Sequence, residues 1–209
     1  MRARMALAYT RTKVELREII LRDKPPSMLA YSPKGTVPVL VLREEVSNST
    51  EVDVIDESLD VMLWAMAQND PDDLLVASDA DLRAEVDNLI HENDFVFKKY
   101  LDQYKYSVRH PENPPEHYRA QGELFLQALE DRLQEKHYLL DNRMTLADMA
   151  IFPFIRQFAN VDRAWFDQAP YPKLRAWLER FLDSAQFLTV MQKYELWKEG
   201  DELVIFPPE

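Results

Sequence analysis

The sequence predicts an α/β segment over residues 1–70 followed, after a linker at 71–79, by an all-helical segment over 80–209. Three observations carry that reading. Two apolar, β-rich runs at Val37 to Leu42 and Val52 to Ile55 flank a polar turn, which is a hairpin pattern set among helical stretches. Pro71 to Asp79 is polar and acidic and breaks the chain. Beyond it, apolar residues recur at helical rather than alternating spacing.

In chain order, residues 2–11 are rich in alanine and arginine with no breaker, so a helix is expected. Val14, Leu16, Ile19, Ile20 and Leu21 make a strand over 14–21. Pro25-Pro26 followed by Ser27-Met28-Leu29 reads as a loop and a short helix. The hairpin follows, its turn spanning Glu44 to Thr50; Asn48-Ser49-Thr50 matches a glycosylation acceptor but is read as turn. Leu59, Met62, Leu63 and Met66 keep helical spacing until Asn69-Asp70-Pro71 stops it.

From Ala80 to about Tyr106 one apolar stripe runs through Leu82, Val86, Leu89, Ile90, Phe97, Leu101 and Tyr104. His110 to Pro115 interrupts it, and Pro114-Pro115 opens a helix to about Tyr138. Thr145 and Asp148 stand three apart before an apolar run, the pattern of a reciprocal capping box with aspartate as its shorter variant. Pro153 falls inside that helix and is expected to kink it. After Pro170-Tyr171-Pro172 come a helix with Leu174, Trp177 and Phe181 and a last one with Phe187, Leu188, Met191 and Trp197. Val204-Ile205-Phe206 near the end is apolar enough to fold back over the body.

Composition excludes several functions. No run of about eighteen apolar residues exists to span a membrane, and the start carries no signal-peptide pattern, so a cytoplasmic protein is expected. A net charge of −12 disfavours nucleic acid and anionic membranes as partners. The charge is uneven, however: residues 1–43 hold nine basic groups against three acidic ones, which suits a small anionic ligand or equally a scatter of solvated charge. With 0 cysteines there is no disulfide, thiolate metal site or cysteine nucleophile in this chain. His91, His110, His117 and His137 form no close helical pair, so no metal site is expected.

The chemistry gathers at Ser32-Pro33-Lys34-Gly35-Thr36-Val37-Pro38 and Asp56-Glu57-Ser58. Pro38 cannot donate to a strand ladder and holds Val37 extended. If the Val37–Pro38 bond is cis, the Val37 main chain turns toward a ligand, and an extended peptide could pair with it as an added strand. Glu57 and Ser58 stand where a helix begins, whose free N–H groups attract a carboxylate while Glu57 can take an amine. A small peptide bearing its own α-amino-acid end fits both.

Pro-Lys-Gly-Thr-Val-Pro-Val-Leu followed by Val-Ile-Asp-Glu-Ser-Leu resembles the glutathione-binding half of the glutathione S-transferase family, and the Thr145–Asp148 box resembles that family's C-terminal domain. The resemblance implies a thioredoxin-like first domain and an all-helical second. It implies glutathione as co-substrate, with Val37, set before Pro38, pairing its cysteinyl part, Glu57 and Ser58 anchoring its γ-glutamyl part, and Lys34 as counter-charge. It also implies a homodimer through the helices after Glu57 and after Asp79, and a small hydrophobic or disulfide second substrate; Tyr100, Tyr104 and Phe158 could line its pocket, but helix core is the favoured reading of each. The pattern is closest to bacterial omega-like members, whose chemistry is thiol transfer and reduction rather than conjugation.

One departure stands out. In the family a strand ending in a catalytic Cys-Pro or Ser/Tyr segment precedes the first helix, and the α-β-α-β-β-α order here lacks it. An upstream start is the favoured explanation, ahead of a genuine truncation or a strand lent by a partner, and an incomplete sheet is expected. The catalytic residue is therefore unknown: Tyr9 and Thr10 lie at the wrong end of the helix, and nothing singles out Ser27 or Ser32. A non-catalytic binding or regulatory module is the alternative to an enzyme.

Overall fold

A computed structural model describes residues 1–46 and 49–208. Residues 47 and 48, within the expected turn and its Asn48 acceptor, lie outside the described residues. The first elements are α1 (Arg2–Thr10), β1 (Val14–Glu15), α2 (Pro26–Tyr31), β2 (Leu40–Val46), β3 (Ser49–Ile55) and α3 (Ser58–Gln68). Then come α4 (Ala80–Glu92), a π-helical turn (Asn93–Phe97), α5 (Lys98–Lys105), α6 (Pro115–Arg132), α7 (Leu146–Ala159), α8 (Arg163–Gln168), α9 (Pro172–Leu182), α10 (Ala185–Val190) and β4 (Ile205–Phe206). The chain divides into two compact units, residues 1–71 with 185–209, and residues 72–184.

The first unit has the α-β-α-β-β-α order expected from the sequence. β2 and β3 form an antiparallel hairpin with Leu40 opposite Ile55 and Arg43 opposite Val52. α1 packs on α3, and Met5, Ala6, Met62 and Ala65 are fully buried. The Asn69 side-chain amide donates to Thr10 O at 3.1 Å and Tyr9 Oη donates to Asp70 Oδ1 at 3.1 Å, tying the C-terminal ends of the two helices.

The strand expected over 14–21 is only Val14–Glu15, and its partner is β4, not the hairpin. Val14 lies opposite Phe206 in an antiparallel pair, so the described strands form two separate two-stranded sheets. Past Glu15, Glu18 makes an isolated bridge to Leu196, and Ile20 and Leu21 are 36% and 58% exposed. The apolar residues there do not alternate, so an extended run would bury no single face. The last 25 residues, which the sequence placed with the helical segment, therefore group with the first 71. Backbone groups of the 14–18 segment find partners in them: Leu16 N–H reaches Val204 O at 2.7 Å, and Glu18 O accepts Trp197 N–H at 2.8 Å. The last helix ends at Val190, short of Trp197.

The second unit is helical. The expected linker is part of it, since Leu74 and Val76 are fully buried and Leu74 O accepts Leu146 N–H at 2.9 Å. Asp79 caps α4 through Leu82 N–H at 2.9 Å. The helix expected to run unbroken to Tyr106 is interrupted at Asn93–Phe97, where a π-helical turn buries Asn93 and Phe97 and leaves Phe95 71% exposed. α6 stops at Arg132 rather than near Tyr138, and its buried Glu130 accepts Lys173 N–H at 3.2 Å and Leu174 N–H at 2.8 Å. That carboxylate satisfies the free donors at the start of α9. α7 carries the capping box, Thr145 N–H donating to Asp148 Oδ2 at 3.0 Å, and runs through Pro153.

Gly122 on α6 faces the ring of Phe158, where an added Cβ would come within 2.5 Å of Cε2. Phe158 is itself held by Phe97 and Tyr104 at ring separations of 5.4 and 5.2 Å. The ring has no room to retreat, so Gly122→Ala should cost about 1–3 kcal/mol by overpacking despite alanine's better helix propensity. Urea denaturation of the variant checks this, and a neutral or stabilising result would show that the ring can move.

Candidate functional site

The sequence-marked residues of the first unit converge where the 32–35 turn meets the junction of β3 and α3. Gly35 N–H closes the turn on Ser32 O at 2.9 Å. Gly35 takes φ +61°, and an added Cβ would meet Leu29 Cδ2 at 3.2 Å and Lys24 Cδ at 3.3 Å, so glycine suits this turn on both counts. Ser32 is 1% exposed and donates through Oγ to Asp56 Oδ2 at 2.7 Å. Lys34 Nζ reaches Asp56 Oδ1 at 2.9 Å and Glu57 Oε1 at 2.6 Å.

Beyond the turn the Val37–Pro38 bond, whose isomer the sequence leaves open, is cis. β2 begins only at Leu40, so Val37 lies outside the hairpin ladder and is 48% exposed. Across the turn, Glu57 is the N-cap residue of α3 in extended conformation, with Ser58 as the first helical residue. The Glu57 side chain makes no capping bond and points instead to Lys34, leaving the first-turn N–H groups of α3 without a side-chain cap.

The electrostatics follow from these contacts. Lys34, with Ser32 second, holds the Asp56 carboxyl below its usual value. Glu57, with Asp56 second, raises the Lys34 ammonium above its own. Both groups are thus charged at neutral pH. The Lys34 ammonium, expected as a counter-charge to the ligand, is held here by two carboxylates. Against a zwitterionic α-amino-acid end, this arrangement offers carboxylate oxygens for an amine and helix N–H groups for a carboxylate.

The role of Ser32 is not readable from the sequence beyond its place two residues before Lys34 in a tight Ser-Pro-Lys-Gly turn. Tyr9 is engaged with Asp70. Tyr104 and Phe158 pack against each other as core of the helical unit, the reading favoured for them over a substrate pocket, and both are buried, while Tyr100 is half-buried. Among the described residues no group of three or more His, Asp or Glu side chains is placed to hold a metal ion. No helix among them is long and apolar enough to cross a membrane.

The glutathione S-transferase N-terminal domain family matches residues 1–72, and the C-terminal domain family matches residues 115–180. No curated protein matches the chain. Among solved structures, a glutathione transferase family member from Pseudomonas fluorescens with two glutathione bound is similar at TM-score 0.75 and 18% identity, over 90% of this chain and 86% of that one. A glutathione transferase from Phanerochaete chrysosporium in complex with oxidised glutathione matches at TM-score 0.73 and 21% identity, over 90% and 88%. A Gtt2-class glutathione S-transferase from Vibrio parahaemolyticus matches at 0.69 and 20%, over 90% of each.

Proposed function

As the chain belongs to the glutathione S-transferase family, we propose that it binds glutathione at the 32–38 and 56–58 site and uses it in thiol transfer, reduction or conjugation on a small electrophilic or disulfide substrate. The main chain of Val37, next to Pro38, pairs with the cysteinyl part. Glu57 takes the γ-glutamyl amine, and Ser58 with the α3 N-terminus takes its carboxylate. Lys34 moves between Glu57 and the ligand, so that binding exchanges one ion pair for another. The chain acts as a cytoplasmic homodimer through α3 and α4.

The observation that supports this reading best is that the turn leading to the exposed Val37 is bonded directly to the residues opening α3. Two similar structures hold glutathione or its oxidised form, which agrees with it. Calorimetric titration with glutathione tests it. The expected result is saturable binding that Glu57→Ala and Ser58→Ala each weaken at least tenfold, the loss of a charge-assisted contact worth about 1.5–3 kcal/mol. Absence of binding at millimolar glutathione would sink it. Turnover of a mixed disulfide by the same preparation separates the enzyme from a binding module, which would bind without turnover.

A further inference from the structure

We propose that Asp56 is a positioning residue of this site, holding the 32–35 turn, and through it the Val37 main chain, against the start of α3. The inference rests on the glutathione-binding reading above. Asp56 lies between the end of β3 at Ile55 and the N-cap Glu57, so its backbone is anchored on both sides by regular structure. Its two oxygens hold two residues of one turn, Oδ2 the buried Ser32 hydroxyl at 2.7 Å and Oδ1 the Lys34 ammonium at 2.9 Å. Lys34 carries the tie on to Glu57 at 2.6 Å.

The turn is internally closed by Gly35 N–H to Ser32 O, so fixing residues 32 and 34 fixes it as a body. Val37 follows two residues later and precedes the first ladder pair, Leu40 with Ile55. Between them, the Asp56 bonds and that pair pin the stretch containing Val37 at both ends. A ligand that pairs with Val37 and also reaches the α3 N-terminus needs those two groups at a set separation. Without the Asp56 tie, binding itself has to order the turn, and affinity falls by the fraction of time the turn is in place. Asp56 needs no contact with the ligand for this.

The test uses the full chain with Asp56→Ala and Asp56→Asn. Asparagine keeps an oxygen for the Ser32 hydroxyl but brings no charge to Lys34. In the unliganded protein, amide hydrogen exchange of residues 34–39 should quicken about tenfold or more in Asp56→Ala and less in Asp56→Asn, with α7 amides unchanged. Glutathione affinity should fall about tenfold in Asp56→Ala, with Asp56→Asn between it and wild type. Wild-type exchange rates over 34–39 in Asp56→Ala overturn the proposal, and so does faster exchange with undiminished affinity. If α7 exchange also rises in the alanine variant, the asparagine variant decides on the same two criteria. Wild-type protein that binds no glutathione overturns the functional reading instead, and the exchange measurement still decides whether Asp56 orders the turn.

Discussion

Asp148→Ala should lower the unfolding free energy by about 3–5 kcal/mol, which urea denaturation will read as a shifted midpoint at an unchanged slope. Asp148 is fully buried, and four donors converge on its carboxylate. Oδ1 accepts Leu139 N–H and the Trp177 indole N–H, each at 2.9 Å, while Oδ2 accepts Thr145 N–H and the Thr145 hydroxyl, each at 3.0 Å. One side chain thus joins the loop before α7, the start of α7, and α9. Alanine orphans these donors where Leu139, Thr145 and Trp177 are themselves fully buried, at about 1–3 kcal/mol for each donor left unpaired.

The full sum is not expected. The hydroxyl can turn to another acceptor, and burial already pushes the Asp148 carboxyl above its ordinary value against the pull of its donors, so removing it also relieves a desolvation cost. Asp148→Asn retains one acceptor oxygen but turns an N–H₂ toward one donor pair, so it should fall between alanine and wild type. An alanine variant within 1 kcal/mol of wild type would show that water or a rearranged loop replaces the carboxylate. Capping alone would predict only about 1 kcal/mol, so the size of the loss separates a helix cap from a hub joining several elements.

Much of this was visible in the residues, and the reasons differ by element. The hairpin, α3 and the capping box rest on local signals, because proline, glycine and capping residues act within a few positions of themselves. The two halves of the candidate site stand out for the same reason, each being a short run with a backbone demand. What escaped was non-local. That Lys34 answers Asp56 and Glu57 depends on a turn 22 residues away from its partner, and side-chain pairing across that distance has no period to read. The π-helical turn at Asn93–Phe97 was hidden because the apolar stripe keeps helical spacing on both sides of it. The early strand failed differently: Val14 to Leu21 has the composition of a strand but not its alternation, and composition alone does not choose a partner.

The partner it takes leads to the other large expected effect. Phe206→Ala should cost about 3–5 kcal/mol, the range for truncating a buried phenylalanine. Phe206 is fully buried and Pro207 beside it is buried, while Leu203, Val204 and Ile205 are 69%, 38% and 48% exposed, so the ring is the large apolar side chain that seats the end of the tail. Tyr194 meets it edge-on at 6.3 Å and the Arg4 guanidinium lies 5.8 Å from its centroid. Polar bonds flank it on both sides, Leu16 N–H to Val204 O and Lys13 Nζ to Pro207 O, both at 2.7 Å. Without the ring those bonds hold a strand of two residues, too short to persist alone. The loss should therefore be local before it is global: exchange of the Leu16 and Trp197 amides should rise sharply at denaturant concentrations where α7 amides are still protected. Equal loss of protection in both places would mean instead that the tail opens only with the whole chain. The distinction bears on the proposed glutathione site, because the tail segment bonds to the 14–18 stretch that follows α1, and α1 packs on α3, whose N-cap is Glu57 and first residue Ser58. A tail that detaches locally would let α1 loosen without unfolding, and glutathione affinity would then fall in Phe206→Ala although no residue of the site has been touched.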